Sequence, residues 1–240
     1  MVMIELFEVR SHMSDASSNL AVAKSAVHPE WLPFFSLHES LLLQIFESLS
    51  SKFSVEVITP TLPNIFRAFE LPVSQIRVVI VGQDPYPTPG VAIGRAFAVS
   101  DLSPMPPSLR NIQIELQREL SCDLTLDKTL QQWAEQGVFL LNTSLTFDVS
   151  KQNVGHFHLW EAFTREVLMH ISQTASPHVW MLWGNNAQEL QRQAGSVAVL
   201  KTSHPSPLSA YRGFLGSNIF IECNEKLRQL NLPEIEWLKK

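Results

Sequence analysis

The stretch VVIVGQDPYPTPG, residues 78–90, decides the fold. Its four opening residues are apolar and β-branched, which is typical of a strand buried on both faces of a parallel sheet. The loop after them contains Pro85, Pro87 and Pro89, each of which fixes its own φ angle and pushes the preceding residue toward extended geometry. Such a loop has little backbone freedom, so it predicts a preorganised position for the carboxylate of Asp84. Alone, a proline-rich segment after a strand is an ordinary turn, and the hypothesis depends on the residues at the ends of the other strands.

Three further apolar runs also end in polar sequence. These runs are VFLL at 138–141 before Asn142, VWMLW at 179–183 before Gly184 and Asn185, and VAVL at 197–200 before the segment that contains His204. Segments of helical periodicity, residues 108–120 and 160–171, lie between the runs. Strands that alternate with helices predict an α/β fold with a mainly parallel central sheet.

The ends of these strands predict one functional site. In open α/β sheets the ligand crevice lies outside the carboxyl ends of the strands. We therefore expect Asp84, Asn142 and His204 to converge at one edge of the sheet, together with residues 184–185.

Length and composition fit one globular domain. The chain has 240 residues, of which 45% are hydrophobic, enough to bury one sizeable core. Residues 31–240 are predicted to form this domain. Residues 1–30 pass into a Ser/Ala-rich stretch and are predicted to be an N-terminal extension, either loosely packed or binding a partner.

The sequence favours a cytoplasmic protein without a metal or cofactor. Glu5 and Glu8 argue against a secretory or organelle signal, and no apolar run is long enough to span a membrane. Cys122 and Cys223 are too few for a disulfide framework, which favours a reducing compartment. Their spacing also excludes a zinc or iron–sulfur site built from cysteine alone.

The polar segments, taken in order, resemble the signature motifs of family 1 uracil-DNA glycosylases. The three motifs are GQDPY at 82–86, LLNT at 140–143, and HPSPLSA at 204–210 continued by RGF at 212–214. Further matching pieces are PPSL at 106–109, WAEQGV at 133–138, WEAFT at 160–164 and LWG at 182–184. The resemblance extends from about residue 57 to residue 237. It implies a three-layer α/β/α fold with a four-stranded sheet and an enzyme that removes a flipped-out pyrimidine, uracil by default, from DNA.

The resemblance also implies a role for each matching residue. Asp84 would orient the attacking water and stabilise the cationic sugar, and His204 would donate a hydrogen bond to O2 of the departing base. The implied base-binding residues are Gln83, Tyr86, Phe97 and Asn142. The implied DNA-binding residues are Pro106, Pro107, Ser108, Gly184, Asn185, Ser206, Leu208, Ser209 and Arg212, with Leu208 as a wedge in the vacated stack. No lysine stands in a matching position to form a Schiff base, so we expect a monofunctional enzyme that leaves an abasic site. We also expect it to be a monomer.

The net charge of −5 is unusual for a protein that binds DNA, because affinity for phosphate depends on the number of cationic contacts. Four cations lie close in sequence to the motifs and are the candidate phosphate contacts: Arg95, Arg110, Lys201 and Arg212. So few cations predict weak non-specific affinity with a shallow salt dependence.

Several residues differ from the usual pattern of the family around the first motif and beyond it. The differing residues are Pro87, Thr88, Val91, Ile93, Arg95, Asn185 and Tyr211, where the family usually has His, Gly, Gln, His, Leu, Ser and His. In the family the ring of Tyr86 lies against C5 of the base and excludes thymine. Pro87 now restricts the backbone of Tyr86, which predicts a weaker barrier to 5-substituted pyrimidines.

Three functional hypotheses therefore stand. The first is an ordinary uracil excision enzyme of DNA repair. The second is a glycosylase for a C5-modified pyrimidine, such as a modified base of phage DNA, with a role in antiviral defence. The third is a non-catalytic DNA- or protein-binding module on the same fold, against which the presence of Asp84, Asn142 and His204 together argues.

Overall fold

The computed structural model describes residues 15–53, 57–150, 154–175, 178–195 and 198–238. The strands are β1 (Ile58–Thr59), β2 (Val78–Gly82), β3 (Val138–Asn142), β4 (Phe147–Asp148), β5 (Val154–Gly155), β6 (Val179–Trp183) and β7 (Ala198–Thr202). The α-helices are α1 (residues 15–23), α2 (Leu32–Leu37), α3 (Glu39–Phe53), α4 (Pro107–Leu120), α5 (Gln131–Glu135), α6 (Phe157–Thr174), α7 (Asn185–Glu189) and α8 (Ile219–Gln229). Within these residues, no helix is long and apolar enough to cross a membrane.

The central sheet has four strands in the order β3-β2-β6-β7, and every neighbouring pair is parallel. The predicted mainly parallel, four-stranded sheet is therefore confirmed. In the register of β2 and β3, Gly82 stands opposite Asn142, and between β6 and β7, Trp183 stands opposite Thr202. The motif loops consequently leave the sheet side by side.

Alternate residues of the strands pack on opposite faces of the sheet, as the two-residue period of a strand requires. On one face, Val79 and Val81 belong to a cluster with α2, α3 and α6. On the other face, Val78 and Ile80 pack with α4 and α8. This arrangement is the three-layer α/β/α fold that the family resemblance implied, and α4 and α6 contain the two segments predicted to be helical.

Strand β7 differs from the prediction of a strand buried on both faces. Strands β2, β3 and β6 are buried throughout, but Ala198 and Val199 are half-buried and Lys201 is exposed. β7 lies at one edge of the sheet and β3 at the other, so the edge position alone does not explain why β7 is more exposed than β3.

A second, antiparallel sheet of three short strands, in the order β1-β4-β5, lies beside the main sheet. In it, Phe147 of β4 pairs with Gly155 of β5. This small sheet was not predicted, because strands of two residues carry no periodic signal.

The loose packing predicted for residues 1–30 is wrong for residues 15–30. Ala16, Leu20, Ala23 and Val27 are buried in the same cluster as Val79 and Val81. Their spacing of four, three and four residues forms one apolar stripe on α1 and the turn after it. Residues 1–14 lie outside the described part of the chain.

Candidate active site

The loop after β2 is fixed by hydrogen bonds to the loop after β3. Thr143 N donates to Gly82 O over 3.0 Å, and Ser144 N donates to Gln83 O over 2.9 Å. The Thr143 hydroxyl also donates to Gln83 O, over 3.0 Å. These bonds, together with the three prolines, give the backbone at Asp84 little freedom.

The Asp84 side chain is half-buried at the end of β2. Burial raises the pKa of its carboxyl above the ordinary value, and a hydrogen bond from Gln83 partly opposes that shift. The carboxylate lies against Gly155 of β5, since a Cβ atom at that glycine would be 2.7 Å from Asp84 Cγ. Asp84 is therefore a partly desolvated carboxylate in a defined position.

His204 follows β7 and presents a neutral imidazole. Ser206 N donates to its Nδ1 over 3.0 Å, which requires a lone pair on Nδ1 and assigns the proton to Nε2. Burial lowers the pKa of His204, which also favours the neutral ring. The Nε2–H group is consequently a neutral hydrogen-bond donor at ordinary pH.

Phe97 and Tyr86 form an aromatic wall beside His204. The centroid of the Phe97 ring lies 5.7 Å from that of His204, and the Tyr86 hydroxyl donates to Phe97 O over 3.3 Å. Phe97 has a φ angle of +64°, a conformation that is uncommon for a residue with a bulky side chain. Ala96 N donates to Leu140 O over 3.1 Å and ties this segment to β3.

Asn142 lies at the carboxyl end of β3 with only 7% of its surface exposed. Its amide packs against Gly82, where a Cβ atom would overlap Asn142 Oδ1. Gly82 is therefore required for the close approach of the two strand ends.

The predicted base-binding and catalytic residues line one cavity of about 260 Å³. Its lining includes Gln83, Asp84, Tyr86, Phe97, Ser108, Asn142 and His204. A second cavity of about 330 Å³ shares Gln83 and His204 with the first and is also lined by Gly184, Asn185 and Ser206. The structure thus brings together the side chains that the sequence placed at the strand ends. Five predicted DNA-binding residues line neither cavity: Pro106, Pro107, Leu208, Ser209 and Arg212.

The segment after His204 is a compact turn that presents Leu208 to solvent. Leu208 is 82% exposed, whereas Ala210 is 2% exposed and anchors the turn in the core. Ala210 N donates to Ser206 O over 2.8 Å, and Asn111 Nδ2 donates to Pro205 O over 2.8 Å. A single exposed leucine is common on a protein surface, so its exposure alone does not assign it a role.

The hydroxyl groups of this turn hold its shape. Ser209 Oγ donates to His204 O over 2.9 Å, and the hydroxyls of Ser206 and Ser209 lie 3.0 Å apart. Two of the three serines predicted to bind DNA, Ser206 and Ser209, are therefore also internal supports of the His204 segment.

Of the four candidate cations, Arg95 was predicted wrongly. It is 5% exposed, and its guanidinium is 2.6 Å from Glu70 and 2.7 Å from Gln131 Oε1. A buried, paired arginine has no free charge for phosphate. Arg110, Lys201 and Arg212 are exposed, and the Arg212 guanidinium lies 5.4 Å from the ring centroid of Tyr211.

No group of three or more His, Cys, Asp or Glu side chains in the described ranges could hold a metal ion. Cys122 and Cys223 are both free thiols. The geometry is that of a carboxylate, a neutral imidazole donor and an amide around an aromatic pocket, a set of groups suited to breaking a bond to a planar, polar base.

Comparisons with known proteins agree with this geometry. A model of the uracil DNA glycosylase superfamily matches residues 69–228. A uracil-DNA glycosylase of Azotobacter vinelandii is 48% identical over 178 residues, which are 72% of this chain and 76% of the relative. A uracil-DNA glycosylase of Lachnoclostridium phytofermentans is 37% identical over 89% of this chain and 97% of its own length.

The fold is also that of solved glycosylase structures. The crystal structure of mimivirus uracil-DNA glycosylase superposes with a TM-score of 0.81 and 27% identity, covering 90% of this chain and 88% of the viral one. The chain belongs to the uracil-DNA glycosylase superfamily. The predicted resemblance is confirmed, and the protein is a DNA glycosylase.

Some of the residues that differ from the usual motif of this glycosylase family are accommodated by packing. Ile93 is buried in the core cluster between the sheet and α4, and Val91 packs against the same cluster. Tyr86 keeps its place in the lining of the base cavity despite the proline after it. Pro87 itself lines the base cavity and Asn185 lines the second cavity, whereas Thr88 and Tyr211 are exposed.

Sequence reasoning missed several residues around the glycosylase site. Phe147 lines the base cavity, and Gly155 touches the Asp84 carboxylate, but both lie on the small sheet that had no sequence signal. Glu115 of α4 is fully buried and accepts hydrogen bonds from Gly216 N over 2.7 Å and Asn218 N over 3.2 Å. Glu115 supports the chain after Arg212. The only signal for this role in the sequence was a glutamate on the apolar face of a helix.

Proposed function

We propose that this DNA glycosylase hydrolyses the N-glycosidic bond of uracil that has been flipped out of DNA, and that it leaves an abasic site. The observation that carries the proposal is the single cavity that Asp84, Asn142 and His204 line together with the aromatic rings of Tyr86 and Phe97. The pocket offers the Asn142 amide, which has both a donor and an acceptor and so matches O4 and N3–H of uracil.

The bond between N1 of the base and C1′ of the sugar breaks with its electron pair moving to the base. The negative charge that develops on uracil O2 accepts a hydrogen bond from the Nε2–H of His204. A neutral donor fixed in a desolvated site stabilises such a charge without reorganisation.

The positive charge that remains on the sugar faces the Asp84 carboxylate. Carboxylates stabilise oxocarbenium character in other glycosyl transfers, and Asp84 would also orient the water whose oxygen bonds to C1′. The water loses one proton in this step, and the uracil anion takes up one proton from the solvent, so the products are free uracil and an abasic deoxyribose. No step requires a metal or an amine nucleophile.

The nucleotide must leave the duplex before it reaches the cavity, at an unstacking cost of a few kcal/mol. Leu208, on its rigid and exposed turn, is the side chain placed to enter the vacated stack. Ser108, Asn185 and Arg212 are proposed to contact the flanking phosphates, with the other predicted DNA-binding residues around them. Such contacts position the strand without reading its sequence.

Replacing Leu208 by Ala should slow uracil release from duplex DNA at least ~5-fold more than release from single-stranded DNA, because only the duplex needs a wedge to hold the flipped state. The measurement is the single-turnover rate on matched single-stranded and duplex oligonucleotides. Leu102→Ala is the control, since Leu102 is 98% exposed but lies on another loop. Equal losses on both substrates would exclude the wedge role.

Uracil is the base that the pocket supports best. Tyr86 is held by Phe97 O at the cavity, and burial raises the pKa of its hydroxyl, so the ring is a fixed neutral wall. A buried amide such as that of Asn142 rejects a base that leaves it unpaired far better than an apolar wall rejects a methyl group. Selectivity for the pairing edge should therefore be strict and selectivity at C5 weaker.

A panel of oligonucleotides tests the base identity. We expect release of uracil, slower release of thymine and 5-hydroxymethyluracil, and no release of cytosine or glucosylated 5-hydroxymethylcytosine. Release of a bulky modified base and of no other base would favour the hypothesis of antiviral defence over that of DNA repair. Binding of DNA without release of any base would favour the non-catalytic module.

The proposal includes a cytoplasmic, monomeric enzyme whose partner is DNA. The support for a reducing compartment is the pair of free cysteines. DNA binding should depend only weakly on salt, because three exposed cations lie near the site.

A further inference from the structure

Gly155 is the neighbour of the Asp84 carboxylate on the small antiparallel sheet. A Cβ atom built on Gly155 would overlap Asp84 Oδ1 and lie 2.7 Å from Cγ. Real Cβ atoms do not approach other heavy atoms so closely, so the backbone of β5 and the carboxylate can keep these positions only because residue 155 has no side chain.

The conformation of Gly155 does not itself require glycine. Seven other glycines in the described ranges have a positive φ angle, but Gly155 does not. An alanine could therefore adopt its backbone geometry, and the obstacle to alanine is the Asp84 carboxylate alone.

Strand β5 is held rigidly by a buried polar network that starts at the next residue. His156 is 2% exposed, its backbone N donates to Thr146 O over 3.1 Å, and its Nδ1 lies 2.9 Å from Thr146 Oγ1. Trp160 Nε1 donates to the same hydroxyl over 2.7 Å. The hairpin of β4 and β5 is thus fastened to α6 beneath the site.

Helix α3 fastens the hairpin from the other side. Lys52 Nζ lies 3.2 Å from His156 Nε2 and 3.3 Å from Asp148 Oδ2. An ammonium group can only donate, so Nε2 accepts and the proton of the imidazole is on Nδ1, toward Thr146. Burial, with the charge of Lys52 as the second cause, lowers the pKa of His156 to about 4, in agreement with a neutral ring.

The same hairpin is connected to the backbone of the Asp84 loop. Ser144 Oγ donates to Thr146 O over 2.8 Å, and Ser144 N donates to Gln83 O over 2.9 Å. The loop and the strand that face each other across the carboxylate are therefore parts of one hydrogen-bonded unit.

We propose that Gly155 is a positioning residue of the glycosylase: its missing side chain, on a hairpin fixed by His156 and Lys52, sets where the Asp84 carboxylate lies in the site. The proposal rests on the proposed function, in which Asp84 faces the reacting sugar. It assigns to β5 a role in the reaction without contact to the substrate.

The test is the variant Gly155→Ala in the full chain. The added methyl group displaces the carboxylate by about 1 Å, and a misplacement of this size costs up to ~100-fold in rate. We expect the single-turnover rate of uracil release to fall ~10- to 100-fold. Affinity for an oligonucleotide with a non-hydrolysable 2′-fluorinated deoxyuridine should change less than about twofold, since the displaced group is the far end of one side chain.

A double-mutant cycle separates positioning from folding. In the Asp84→Ala background, Gly155→Ala should lower the residual rate by less than about twofold, because the methyl group then meets no carboxylate. Val154→Ala is the matched control on the same strand, since Val154 is exposed. An equal loss in both backgrounds, or an unchanged rate in Gly155→Ala, would overturn the proposal.

A second readout does not depend on activity. The carboxyl pKa of Asp84, measured by carbon NMR, should differ between Gly155→Ala and the wild type, because the displaced group is in a different environment and its pKa depends on its burial. An unchanged pKa would contradict the proposal even if the enzyme proved to act on another base. Absence of uracil release by the wild type, with the expected shift in pKa, would instead contradict only the proposed function.

Discussion

Asp84→Asn lowers the single-turnover rate of uracil release at least ~100-fold, because a preorganised charge at the reacting centre commonly contributes that much to the rate. The melting temperature of the variant stays within a few degrees of the wild type. The amide keeps the shape of the carboxylate but loses the charge that faces the cationic sugar. Asp123→Asn, at an exposed position, is the matched control and should be unchanged. Full activity of Asp84→Asn would remove the carboxylate from the mechanism.

The pH dependence of the rate depends on the same group. Asp84 acts as the ionised carboxylate, and burial raises its pKa above the ordinary value of 3.8. The rate should therefore fall as the pH drops through this raised pKa, at a higher pH than an exposed aspartate would give. Asp84→Asn should lack this acid limb, and a limb that persists in the variant would belong to another group.

His204→Ala is the second change with a large expected effect. Removal of the Nε2–H donor leaves the charge on uracil O2 without its hydrogen bond, and loss of one such donor costs ~100- to 1000-fold. The single-turnover rate measures the loss, and affinity for the non-hydrolysable oligonucleotide should change little. His158→Ala, on an exposed residue of α6, serves as the control.

The proposed role of His204 as a hydrogen-bond donor depends on its protonation state. Because Ser206 N donates to Nδ1 and burial lowers the pKa, the active ring is neutral. The nitrogen chemical shifts of His204 should show a single proton on Nε2 at neutral pH. A doubly protonated ring at that pH would contradict the proposed donor.

The sequence was sufficient to predict the central sheet and the convergence of Asp84, Asn142 and His204. These features are local: a buried apolar run predicts its strand, and the parallel arrangement places the residues after each run at one edge. Asp84, Asn142 and His204 could thus be placed together without knowledge of any long-range contact, whereas Tyr86 and Phe97 were implied by the family resemblance and Phe147 was missed.

Features that depend on distant partners could not be predicted in this way. The burial of Arg95 depends on Glu70, a residue 25 positions away, and nothing in the local sequence indicates the pair. The contact of Gly155 with Asp84 depends on a two-residue strand, which has no detectable period. Helix α1 is different, since the spacing of Ala16, Leu20 and Ala23 is a helical pattern that was present in the sequence.

The measurement that tests the central claim most directly is product analysis after one turnover of the wild-type enzyme on a duplex with a single base-labelled uracil. We predict one free uracil per duplex and a DNA strand that stays intact until alkali cleaves it at the abasic site. No release of uracil, or a strand cleaved before alkali is added, would contradict the account of a monofunctional uracil excision enzyme.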